Sequence, residues 1–174
     1  AGMPAAYQTN TTPSAWGATS NINVTTTPSA IAASQAVNSL RLPGAVTVTI
    51  NAGQALTLAS GGVLVPNNAS GSPTITGGTL LGAPGADLIL LQNSGANTLT
   101  VGSVVADNGG ATALTKAGQG TAVLTGNNTY SGVTYINGPT LSGNNNANNF
   151  PTTIAAGTLQ IGNNGTTGGI SNSP

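Results

Sequence analysis

Arg41, Asp87, Asp107 and Lys116 are the only charged residues in a chain of 174, which has no Glu, His or Cys. Clustered carboxylates with a nearby Arg or Lys, often aided by Ca²⁺, are how some β-helical enzymes cleave or lyse polysaccharides. Here Asp87 opens an apolar run and Asp107 precedes Asn108-Gly109, a turn signal, so both read as turn or capping residues. A nucleophilic triad needs His or Lys beside Ser, and Lys116 is the only such base. Zinc sites and phosphate loops require residues that are missing, and nucleic-acid binding requires a basic stripe that two cations cannot form. The chain is therefore read as non-enzymatic, with no catalytic, cofactor or metal residues.

Recognition by amides and aromatics is the chemistry that remains. Asn127, Asn128, Tyr130 and Tyr135, with Asn144, Asn145 and Asn146, form a candidate contact set in which rings stack on sugars and amides bond their hydroxyls. The plainer reading packs each Tyr on a turn. Thr47-Val48-Thr49, Thr74-Ile75-Thr76 and Thr98-Leu99-Thr100 are Thr-x-Thr triplets, the pattern by which some β-solenoids present a Thr lattice to ice. Simple outward-Thr alternation explains them equally, and alignment on one face separates the two readings.

The elements that must carry these residues are strands. Gly, Asn, Thr and Pro interrupt every window that would sustain a helix. Short alternating runs such as 46–50 and 87–93 want a pleated, half-buried surface and argue against a disordered chain. Segment 29–40 reads as a strand entering the first rung, with a short helix as the alternative. Strands are predicted at 36–42, 46–50, 55–59, 62–65, 74–76, 79–82, 87–92, 97–101, 103–106, 121–125, 133–136, 139–142 and 157–161. Leu64, Leu80, Leu99, Leu124, Leu141 and Leu159 recur at 16 to 25 residues, a spacing that suits one coil of a parallel β-helix with each Leu stacked on the one below. That gives an all-β β-solenoid of about seven or eight rungs over residues 31–174, with Gly61-Gly62, Gly77-Gly78, Gly109-Gly110 and Gly168-Gly169 at corners. Residues 1–30, rich in Thr and Pro, are expected to cap the rod or extend between subunits.

No run is long and apolar enough to span a bilayer as a helix. The N-terminus lacks the basic region and apolar core of a signal peptide, so the chain reads as a mature product or a fragment. The absence of Cys fits export across an envelope and a reducing compartment alike. Five Asn-x-Ser/Thr sites are about what 21 Asn residues give by chance. Open rung edges and near-zero charge leave little to oppose stacking of copies, so the first expectation is a homopolymeric fibre or coat, end to end or lateral.

The segment LTKAGQGTAVLTGNNTYSGVTYINGPTL, 114–141, followed by TIAAGTLQIGNNGTTGG, 153–169, resembles the autotransporter-associated β-strand repeat. The resemblance is carried by Lys116, Gly118, Gly120, Thr121, Gly126, Asn128, Tyr130, Gly132, Thr134, Ile136 and Asn137. Less regular rungs extend it over residues 36–170, with the repeat itself at 113–170. Ala122 stands where the family usually has Leu, and Pro139 where it usually has Gly, so the rung closing near 139 is expected to pair imperfectly. The resemblance implies a right-handed parallel β-helix at the bacterial cell surface, serving as stalk, coat or adhesin, without cofactors. The adhesin, a passenger fragment binding surface glycans, is the alternative to the fibre.

Overall fold

Alternation of Thr, Ser or Gly with Val, Ile and Leu sends every second side chain to one side of a strand. In the computed structural model, which describes residues 6–9, 12–143 and 152–161, that alternation builds a parallel β-solenoid. Its strands are β1 (Gln8–Thr9), β2 (Asn21–Asn23), β3 (Gln35–Arg41), β4 (Thr47–Val65), β5 (Thr74–Gly82), β6 (Leu88–Gln92), β7 (Thr98–Val101), β8 (Val104–Ala106), β9 (Leu114–Ala117), β10 (Thr121–Leu124), β11 (Thr134–Gly143) and β12 (Thr152–Ile161). The described residues contain no α-helix, only a 3-10 turn at Pro13–Ala15. The strand reading of 29–40 holds from Gln35 onward. β9 and the short β1 and β2 lie outside the predicted strands.

Among the described residues every strand pairing is parallel, and the pairings fall on three faces. On the first, Ile22, Leu40, Val63, Leu90, Lys116 and Ile136 are successive partners. On the second, Val48, Ile75, Val101 and Leu124 stack. On the third, Leu56, Leu80 and Val105 stack. Apart from Lys116, these side chains are aliphatic, and all of them are buried. Each fully buried Val, Leu or Ile contributes about 1.5–3 kcal/mol relative to exposure, so the interior columns are the main cohesive term.

The chain forms about four well-formed turns, at 39–58, 62–82, 88–106 and 114–130, not the seven or eight expected from Leu spacing. Before them lies a looser winding whose second face is the single bridge Ile31 to Ile50. At the far end β12 pairs with β11. The expectation failed because the chosen leucines do not share a column. Leu64 is half-buried on the outer side of the first face, Leu80 belongs to the third face, and Leu99 belongs to the second. True successive positions on the first face, Leu40, Val63, Leu90 and Lys116, are 23, 27 and 26 residues apart. The one Leu column that does form, Leu99, Leu141 and Leu159, is interrupted by Ala122.

Corners depend on glycine where one turn's backbone crosses close over another's. A Cβ on Gly77 would lie 2.2 Å from the Ile50 carbonyl oxygen, and Gly77 and Gly78 have φ of 72° and 34°. Gly62, by contrast, lies inside β4 without a positive φ, and Gly168-Gly169 lie outside the described residues. At Pro139 the β11–β12 register shifts between Asn137 and Thr140.

Candidate functional site

The turn spanning 114–130 holds seven of the eleven residues that carry the sequence motif. β9 places Leu114 and Lys116 inward and Thr115 outward, by strict alternation. Lys116 is completely buried between Leu90 below and Ile136 above. Its ammonium donates to the Gly118 carbonyl at 2.7 Å, and burial lowers its pKa from the ordinary lysine value. The corner above closes on the same spot: a Cβ on Gly138 would lie 2.2 Å from the Gly118 oxygen and 2.9 Å from the Lys116 Nζ. The lysine thus braces the Gly118 corner from inside the coil, and Gly138 passes too close to it to carry a side chain.

No strand covers the third side of this turn. Asn128 takes the place of one: its Oδ1 accepts the Val105 amide at 2.8 Å, while the Val105 carbonyl accepts from the Thr129 and Tyr130 amides. Tyr130 is buried, and its hydroxyl shares a 2.8 Å hydrogen bond with Thr134 Oγ1. Burial raises the Tyr130 pKa, and the Thr134 bond offsets only part of the rise. Gly126 and Gly132 seat the stretch, since a Cβ on either would meet the Ser103 or Thr112 carbonyl oxygen at 2.2 or 2.4 Å.

Asp107, at the end of β8, ties this turn to the one below. One carboxylate oxygen accepts the Thr112 and Ser131 amides at 2.8 Å, and the other accepts the Ser131 hydroxyl. Burial alone would raise its pKa, but the Ser131 hydroxyl and the Thr112 and Ser131 amides outweigh it and hold the carboxyl below its ordinary value. This is turn-fastening chemistry. Asp87 is exposed in the loop before β6. Among the described residues, no group of three or more His, Cys, Asp or Glu is placed to hold a metal ion, and no helix is long and apolar enough to cross a membrane.

Among the described residues, the proposed contacts do not gather into one platform. Asn128 and Tyr130 face inward and serve the coil, Asn127 is exposed on the third side, and Tyr135 is 42% exposed on the first face beside Thr115. Asn144, Asn145 and Asn146 lie outside the described residues. The outer side of the first face carries an apolar patch that sequence reading missed: Ile89, Leu64 and Leu91, all half-buried, with Tyr135 two turns above Ile89 and separated from it by Thr115. The consecutive apolar residues of 88–91 were its only signal.

Two copies of the passenger-associated-transport-repeat match this chain, at residues 114–138 and 140–161. Over 98 residues, 55% of this chain, it is 46% identical to a protein named adhesin BmaC autotransporter from Brucella suis biovar 1 (strain 1330). The chain spans 3% of that protein's length. No solved structure matches it. The first repeat coincides with the Lys116 corner, the Asn128 splice and the Tyr130 plug, so it covers residues that close the coil. Residues 114–138 and 140–161 thus carry repeats of the autotransporter passenger type.

Proposed function

We propose that this chain is a segment of an autotransporter adhesin passenger, held outside the bacterial cell and presenting its outer faces to a host or neighbouring surface. The observation that carries this reading is the 46% identity to a segment of a protein named an adhesin. The residue chemistry is compatible with it: Asp107, Lys116 and Tyr130 are hydrogen-bonded within the coil. The fibre expected from open edges and low charge has no comparable support, and the adhesin replaces it as the first reading. In this reading the solenoid is a non-enzymatic spacer and contact surface, wound right-handed as parallel crossover connections nearly always are. Exposed Asn127 and Tyr135, with the Asn144–Asn149 segment, are the proposed contacts to surface glycans.

Beads coated with the purified chain should bind cultured animal cells saturably and be displaced by the soluble chain. Deletion of 144–149 should abolish that binding. Attachment no greater than that of beads carrying an unrelated neutral β-solenoid would assign adhesion to other parts of the parent protein.

A further inference from the structure

The threonine triplets, which adhesion leaves unused, come together on the outer side of the second face. Thr47 is paired with Thr74 and Thr74 with Thr100, while Thr49 is paired with Thr76. The central residues Val48, Ile75 and Leu99 are buried, and the flanking threonines are half-buried and outward. The third triplet is displaced by two residues, which starts a second column: Thr98, Thr121 and Thr140. A third column runs from Thr49 and Thr76 past Gly102 to Thr125, for both the Thr76 and Thr125 hydroxyls lie 3.2 Å from where a Cβ on Gly102 would stand. Strand geometry sets the grid at about 4.8 Å between turns and about 6.7 Å between outward residues of one strand.

None of the four charged residues lies on this grid. Arg41 belongs to the first face, Asp87 and Asp107 to loops between faces, and Lys116 to the interior. Among the described residues it also carries no aromatic ring. A folded protein partner would find no Arg, Tyr or Trp anchor here, and a sugar would find no ring to stack on. A second copy laid against it would bury rows of hydroxyls with few partners, at a cost in desolvation. The neutral, periodic array of hydroxyls and methyls instead complements a neutral, periodic and hydrogen-bonding partner whose repeat is of the same scale. We propose that this face binds ice, with threonine hydroxyls entering the bonding of ordered water and the methyls seated in its open spaces. This goes beyond the adhesin reading and does not depend on it.

The test uses the full chain in two assays, ice-crystal shaping and inhibition of ice recrystallisation, with circular dichroism melts to verify folding. Wild type should shape ice. Thr100→Lys and Thr121→Lys, in separate columns, should each lose that activity with unchanged melts, and Thr57→Lys on the third face should retain it. Should the Thr100 variant melt early, the Thr121 variant decides. Unshaped crystals with wild type would overturn the proposal, as would equal loss in Thr57→Lys. It would also be overturned by crystalline cellulose binding that Thr100→Lys abolishes while ice is ignored, or by a dimer in sedimentation that Thr100→Lys dissolves. The cell-binding assay reads adhesion separately, so either reading can fail alone.

Discussion

Lys116 is the residue whose chemistry and position are most at odds, a cation inside an aliphatic column hydrogen-bonded to the Gly118 carbonyl. Burying an ammonium with so few partners is costly unless it sheds its proton, and burial indeed lowers its pKa. Between the folded value and the unfolded value of about 10.4, the folded chain binds fewer protons than the unfolded one, so stability rises with pH across that window. Lys116→Met keeps the length and removes the charge. It is expected to be at least as stable as wild type at pH 7 and to lose the upward slope of stability toward pH 10, measured by urea denaturation at several pH values. A persisting slope would locate the titrating group elsewhere. Sequence reading marked Lys116 as a family position, yet nothing in the string says that it points inward. Its parity relative to Leu114 becomes decisive only once β9 is known to be a strand. Asn128 and Tyr130 were likewise visible as motif residues, but their burial follows from the missing third-side strand, which no local pattern shows.

At the scale of the element, corners are more demanding than strands. A Cβ on Gly120 would lie 2.1 Å from the Ser94 carbonyl oxygen and 2.7 Å from the Gln92 side chain, whereas Gly85 has φ 65° and open space around it. Gly120→Ala is therefore expected to cost about 1–3 kcal/mol through overpacking, and Gly85→Ala about 1 kcal/mol through backbone conformation alone. Thermal melts of the two variants check the order, and a larger loss at Gly85 would contradict the packing argument. Most strands were legible in the sequence because period-two alternation is a local signal. Their assignment to faces was not: Leu64, Leu80 and Leu99 look equivalent along the chain yet occupy three different faces. The lengths of the intervening corners decide which side of the coil a strand reaches.

For the whole molecule, parallel stacking makes each turn depend on the two beside it. Leu90 is fully buried and paired with Val63 on one side and Lys116 on the other. Leu90→Ala is expected to cost about 2–5 kcal/mol. The urea transition should remain single, because the loss is felt by the turns on both sides; two resolved transitions would mean that the turns unfold independently. Sequence by itself determined the all-β class, the parallel solenoid, the repeat that names the family, and the scarcity of catalytic groups. These are matters of residue inventory and short-range period. Only the tertiary structure decided that the complete turns number about four, that Asn128 and Tyr130 serve the interior, and that the Thr triplets share one outer face. Each depends on the register between strands some 20 to 27 residues apart, which is set by how the corners close the coil in space.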